Sequence, residues 1–228
     1  MLFAFDMFGT LADPSSVRGE LEPLVAGVAD LVAADWRRLQ LEYMFRVTAM
    51  GQFPDFAELT RWALSAALAG HGVEPAPVEV ERLASAYSRL ASYHDVIPAL
   101  SELIAAGHRA VVFSVGPVRW LEELTAPYRH LVSALVSAEA AGVYKPHPDV
   151  YRHLLRVTEA EPAQVRLVSG NPFDLIGGAA VGLGTVWCRR DPAARFDPWG
   201  PRPHHTVGSL GELGHLQGAT VRSDTELR

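Results

Sequence analysis

The chain opens on an apolar run, Leu2-Phe3-Ala4-Phe5, that stops at a single carboxylate, Asp6, and then enters a Gly9-Thr10 turn. Unbroken apolar character over so few residues reads as a strand buried on both faces, the mark of a parallel sheet covered by helices. Parallel neighbours need long crossover connections. This one feature therefore commits the rest of the chain to alternating strands and helices, and the sequence supplies them. Further apolar runs lie at 109–114, 165–169 and 185–189, with a shorter one through Leu135 and Val136. Helical stretches at 97–106, 118–128, 148–158 and 173–181 separate them. The predicted fold is α/β, a Rossmann-like parallel sheet. Its four main strands end in Asp6, Ser114, Ser169 and Arg189, which places polar groups along the rim where open α/β sheets bind ligands.

Residues 14–92 break the alternation. Helical periodicity runs through 21–52, 56–70 and 78–91, which predicts a helical cap inserted after the first strand. The chain then divides into a core of 1–13 and 93–228 and a cap of 14–92. From Pro192 to Arg228 it is rich in Pro, Gly and polar residues. That composition predicts a surface segment with one short strand near Thr206 and Val207.

A length of 228 residues suits one core domain with an insertion. The net charge of −6 comes without a block of like charges, which argues against nucleic acid and anionic membranes as partners. No apolar run approaches the roughly 20 residues of a spanning helix, and the chain enters its first strand without a leader segment. The lone Cys188 excludes an internal disulfide and a cysteine-based zinc site. The expectation is a cytoplasmic protein.

Among 20 cationic side chains, 19 are Arg and one is Lys, Lys145. Where Arg replaces Lys so thoroughly, the surviving Lys marks a position that needs a compact point charge instead of a planar fork.

Five short motifs carry candidate chemistry. Asp6-Met7-Phe8-Gly9-Thr10 places the acid at a strand end, where open α/β sheets keep their ligands, or where it simply caps a turn. Val111 to Gly116 ends its strand in Ser114, a hydroxyl that backbone groups could equally satisfy. Val143-Tyr144-Lys145-Pro146-His147-Pro148 precedes a helix, with Tyr151 one turn inside it and His147 read as solvent-facing. Ser169-Gly170-Asn171-Pro172-Phe173-Asp174 leads from strand to helix, and Asp174 also fits the helix N-terminus electrostatically. Finally, Trp36-Arg37-Arg38-Leu39-Gln40-Leu41-Glu42-Tyr43 lies on the cap. At helical spacing Arg37, Leu41 and Phe45 share one face and Arg38 another, with Phe56 extending the apolar wall. Two other segments are set aside. The Gly-rich stretch 177–184 leaves a helix for a strand, the reverse of a dinucleotide turn. His204-His205 reads as an exposed polar loop.

In order and spacing, these motifs resemble the haloacid dehalogenase superfamily over nearly the whole chain, and most closely its metal-independent L-2-haloacid dehalogenases. The resemblance implies that Asp6 attacks the carbon bearing the halogen, forming an ester later hydrolysed to a 2-hydroxy acid. A desolvated, well-positioned carboxylate can gain roughly 7–11 kcal/mol from placement alone. It implies that Lys145 balances the charge of Asp6, with the Gly9-Thr10 amides, the Thr10 hydroxyl and Ser114 holding Asp6 or the substrate. Ser169 and Asn171 are expected to tie down Lys145 and Asp174, and Asp174 to activate water. Arg37 is expected to receive the halide. Phe8, Leu41, Phe56, Val115, Tyr151 and Phe173 are expected to line the substrate space.

In the superfamily's Mg²⁺-dependent phosphatases, acids stand at the positions of Phe8 and Gly170, so no metal or cofactor is expected. An L-substrate would give the D-hydroxy acid, and a homodimer fits the family. Val115 departs from the pattern. The dehalogenases carry Asn there in the halide cradle, and losing one donor to a developing anion costs about 3 kcal/mol in comparable sites. Two rival readings stay open: a phosphohydrolase on the same fold, and a weak or non-catalytic relative that binds small anions.

Overall fold

The computed structural model describes residues 1–218; the part of the expected tail at 219–228 lies outside the described residues. Six strands form one sheet, β1 (Leu2–Phe5), β2 (Arg109–Ser114), β3 (Ala134–Ser137), β4 (Val165–Ser169), β5 (Gly184–Cys188) and β6 (His205–Val207). Their spatial order is β3-β2-β1-β4-β5-β6, and each adjacent pair is parallel. The order reverses between β1 and β4, which opens a crevice at their carboxyl ends. Phe5 stands level with Val112 and Val168. Asp6 therefore leaves the sheet beside Phe113 on one side and Ser169 on the other. Its own N–H still donates to the Val168 carbonyl at 3.0 Å, so the backbone is pinned while the side chain is released to the rim.

Helices α1 (Arg18–Leu21), α2 (Ala29–Ala49), α3 (Phe56–Gly70) and α4 (Pro77–Ala84) lie between β1 and β2. The other helices are α5 (Val96–Ala105), α6 (Val118–Thr125), α7 (Pro148–Thr158) and α8 (Pro172–Ala180). Three expected helices are broken. The span 21–52 splits because Pro23 lacks an N–H to continue α1, and Gly27 turns the chain at φ +83° before α2 begins. The span 78–91 is α4 followed by a 3₁₀ turn at Ser85–Arg89, and 118–128 becomes 3₁₀ from Ala126, beside Pro127.

The first helical segment leaves and rejoins the sheet through two stretches of chain that pair antiparallel at Ala12 and Ser92. Asp13 N donates to Ala91 O at 2.8 Å, and Tyr93 N to Leu11 O at 3.0 Å. Among the described residues no helix is long and apolar enough to cross a membrane. His204 and His205 do not form a loose loop: His204 Nδ1 accepts from Thr185 N at 3.1 Å, and His205 begins β6.

Candidate active site

Asp6 is buried, and its two oxygens have different surroundings. Oδ2 accepts from Thr10 Oγ1 at 2.9 Å, Asn171 Nδ2 at 2.7 Å and Ser169 Oγ at 3.3 Å. Oδ1 accepts only from Lys145 Nζ, at 3.2 Å, among the described residues. This corrects two sequence expectations. The Ser169 and Asn171 side chains grip Asp6 itself, because β4 is the immediate neighbour of β1, and neither side chain bonds Lys145 or Asp174; Asn171 meets Asp174 only through its carbonyl, which accepts from Asp174 N at 3.1 Å. The Gly9 and Thr10 amides also turn inward, to Ala12 O and Met7 O, so the loop holds Asp6 through the Thr10 hydroxyl alone. Thr10 is anchored in turn: its Oγ1 accepts from Gly170 N at 2.8 Å, and its carbonyl from Arg190 Nη2 at 2.7 Å. Arg190 pairs with Asp95 at 2.6 Å and lies 4.1 Å from the Tyr93 ring centre. Burial opposes ionisation of Asp95, but the Arg190 guanidinium and the Leu210 N–H hold its carboxyl below the ordinary value.

Lys145 is 1 % exposed, and all three of its donors are used. They go to Asp6 Oδ1, to Asp174 Oδ2 at 2.9 Å, and to the Phe113 carbonyl at 2.8 Å. The ammonium also stands 4.0 Å from the Phe113 ring centre. Lys145 and Pro146 are joined by a cis peptide bond. Asp174 is fully buried, and its pKa is raised, first by burial and then by the negative charge of Asp6, against the pull of Lys145. Tyr151 donates to Asp174 Oδ1 at 3.0 Å. Tyr151 is wholly buried beside Asp174 and supports it. A Cβ on Gly177 would come within 2.5 Å of the Tyr151 hydroxyl, so the glycine of α8 gives that hydroxyl its place. His147 caps α7, its Nδ1 accepting from Asp149 N at 3.3 Å.

At the second strand end, Ser114 Oγ accepts from Gly116 N at 3.1 Å and does not bond Asp6. Among the described residues its hydroxyl proton has no other assigned acceptor, so it remains available to a ligand. Val115 is buried beside it, and a Cβ on Gly116 would come within 3.0 Å of the Phe8 ring. Gly170 is constrained more tightly, since a Cβ there would run into the Gly9 carbonyl oxygen.

The helical segment closes over this rim. Arg37, half-buried on α2, donates from Nη1 to Gln40 Oε1 at 2.6 Å and from Nη2 to Phe8 O at 3.4 Å. Phe8 O also accepts from Asn171 Nδ2 at 2.9 Å, linking Arg37 to the loop that follows Asp6. The Phe8 ring packs on Phe56 at 5.6 Å and on Tyr87 at 5.8 Å. Phe45 meets Phe173 edge-on at 5.0 Å, with Leu41 half-buried on the same helix. Arg38 faces away and pairs with Asp35 and Glu42. Sequence reasoning missed Gln40, Arg190 and Asp95. Only Gln40 carried a signal, three residues beyond Arg37 on one helix face.

Among the described residues no three His, Cys, Asp or Glu side chains are grouped to hold a metal ion. The geometry is instead that of a carboxylate held by hydrogen bonds and one buried ammonium, with a second carboxylate beside it. Residues 1–182 match the family described as haloacid dehalogenase-like hydrolase. The chain is 33% identical to (S)-2-haloacid dehalogenase 1 of Pseudomonas sp. (strain CBS-3), over 93% of this chain and 94% of that one. It is 37% identical to the (S)-2-haloacid dehalogenase of Xanthobacter autotrophicus, over 77% of this chain and 69% of the relative. The solved L-2-haloacid dehalogenase of Xanthobacter autotrophicus with chloropropionic acid covalently bound superposes with a TM-score of 0.90. That match spans 94% of this chain and 97% of the other, at 30% identity. Sequence and fold agree, and the chain belongs to the haloacid dehalogenase-like hydrolase family.

Proposed function

We propose that this protein hydrolyses the carbon–halogen bond of short 2-haloalkanoic acids through an ester on Asp6. The observation that carries this reading is the asymmetry of the Asp6 carboxylate. Three donors fix Oδ2, while Oδ1 meets Lys145 alone. Oδ1 is therefore the attacking oxygen. Its lone pair forms the bond to C2 as the carbon–halogen bond breaks, and the halide leaves with the bonding electrons. Asp174 then takes a proton from water, which adds to the ester carbonyl carbon of Asp6. The acyl–oxygen bond breaks, Asp174 returns its proton to the departing alkoxide, and the 2-hydroxy acid leaves with Asp6 and Asp174 both restored as carboxylates. C2 is inverted once, in the first step, so an L-substrate yields a D-product.

The remaining roles follow from placement. Ser114 donates its hydroxyl to the substrate carboxylate. Phe8, Leu41, Phe56, Val115 and Phe173 form the apolar wall, and Arg37 receives the halide. Residues 14–92 act as the cap; the Arg37 contact to Phe8 and the Phe45–Phe173 contact support that division. Lys145 supplies the positive charge, so the reaction runs without metal. Exposed Leu31 on α2, Met50 just after it and Trp62 on α3 support a homodimer, which sedimentation would test. The unpaired Cys188 supports a cytoplasmic setting.

The test uses chelator-treated protein and each enantiomer of 2-chloropropionate. The expected result is chloride release from one enantiomer and an adduct on Asp6 by mass spectrometry. No chloride and no adduct would sink the reading, and Mg²⁺-dependent phosphate release would favour a phosphohydrolase.

A further inference from the structure

We infer that Gln40 is a positioning residue that aims the Arg37 guanidinium at the departing halide through a neutral hydrogen bond. The inference rests on the dehalogenation proposed above and deepens it. Gln40 lies one turn beyond Arg37 on α2 and is fully buried. Its Oε1 accepts from Arg37 Nη1 at 2.6 Å, a short, charge-assisted bond. Its Nε2 donates to Thr60 Oγ1 at 2.8 Å, and the Thr60 hydroxyl donates to Phe56 O at 2.7 Å. The relay has one direction, because turning the amide over would set its NH₂ against the guanidinium. The arginine on this helix is thereby tied to α3.

The neutrality of Gln40 is what points to an anion. Among the described residues Arg37 makes no ion pair, whereas its neighbour Arg38 makes two. The other group accepting from Arg37 is a carbonyl, Phe8 O, at a long 3.4 Å. Arg37 is thus fixed in direction while its charge stays unspent, its guanidinium 6.0 Å from the centre of the Phe8 ring, which itself packs on Phe56 and Tyr87. A glutamate at position 40 would hold the guanidinium equally well and cancel its charge. Halide forms only while the Asp6 ester is being made and plays no part in ester hydrolysis. The influence of Gln40 therefore falls on the first half of the reaction.

The test separates the two halves with 2-chloropropionate. Rapid quenching and mass spectrometry measure Asp6 ester formation, and its decay is followed after substrate is removed. Gln40→Met keeps the volume and removes the acceptor. It should slow ester formation by roughly tenfold to a hundredfold, as small misplacements of reacting groups do. Ester decay should not change, and chloride should inhibit more weakly. Gln40→Glu should slow the same step. Thr60→Val, which frees only the far end of the relay, should do so less, and it carries the test if Gln40→Met does not fold. Wild-type ester formation in a folded Gln40→Met protein would overturn the inference, as would an equal loss in both halves. If the wild-type protein forms no ester, the dehalogenation reading fails separately. Bromide binding, followed by tryptophan fluorescence, then decides: weaker binding in Gln40→Met sustains the positioning role, and equal binding overturns it.

Discussion

Lys145 and Asp174 meet at 2.9 Å in a pocket that buries both. The same ammonium reaches Asp6 at 3.2 Å, so two carboxylates share one cation and the cluster keeps a net negative charge. Such a cluster is stable only if each polar atom is hydrogen-bonded, and Tyr151, Thr10, Ser169 and Asn171 supply the other donors. In the proposed reaction that surplus negative charge is used: one carboxylate becomes an ester, and the other accepts a proton.

The pH dependence follows from Asp174. Burial, followed by the charge of Asp6, raises its pKa above the ordinary aspartate value. A base must be deprotonated to act, so activity should be lost as pH falls through that raised value. The acid limb of kcat should therefore lie above the range of a free aspartate. In acid the Asp6 ester should accumulate, because attack on C2 does not require Asp174. Asp174→Asn should reproduce that state at neutral pH, with ester formed and hydrolysis stalled. Rapid release of hydroxy acid by this variant would remove Asp174 from the role.

Lys145→Arg should lose most activity although it keeps the charge, by about a hundredfold if the nucleophile shifts even slightly. Nζ makes three bonds from one point, to Asp6, Asp174 and Phe113 O, and a planar fork cannot occupy that point. Near-wild-type turnover of the folded variant would refute the argument from the lone lysine.

Val115→Asn should raise the rate of halide release by adding a donor beside Ser114 and the Phe8 wall. Val115 is buried, so the variant should also melt earlier. Single-turnover chloride release measures the first effect and calorimetry the second. An unchanged release rate would mean that the halide is held by other groups.

Arg190→Leu should destabilise the fold by about 3 kcal/mol, because it leaves Asp95 buried and unpaired and frees the Thr10 carbonyl. Denaturant titration checks this, and a change below about 1 kcal/mol would show the pair to be solvent-screened.

Much of this architecture was legible in the sequence. The apolar runs ending in Asp6, Ser114 and Ser169 announced a parallel sheet with a polar rim, and the scarcity of lysine drew attention to Lys145. What the chain order conceals is which strand neighbours which. Ser169 and Asn171 come shortly before Asp174 in sequence, yet they bond Asp6, because β4 lies against β1. The position of Tyr151 on α7 is visible from spacing, but the depth at which its hydroxyl stops is set by Gly177 on another helix. Arg190 and Asp95 are far apart in the chain, and nothing local marks them as partners. Gln40 looks like any polar residue on a helix until α3 covers it.

The approach of Gly170 to the Gly9 carbonyl has a consequence for how this enzyme could change. An acid at 170 would meet backbone, not the movable tip of a side chain, and no rotamer would relieve the collision. Recruiting a metal ligand at that position would require the Gly9 main chain to shift, next to Thr10 and the Arg190 bond that anchors it. The two chemistries are thus separated by a displacement of the main chain, a gap that single substitutions at 170 cannot bridge.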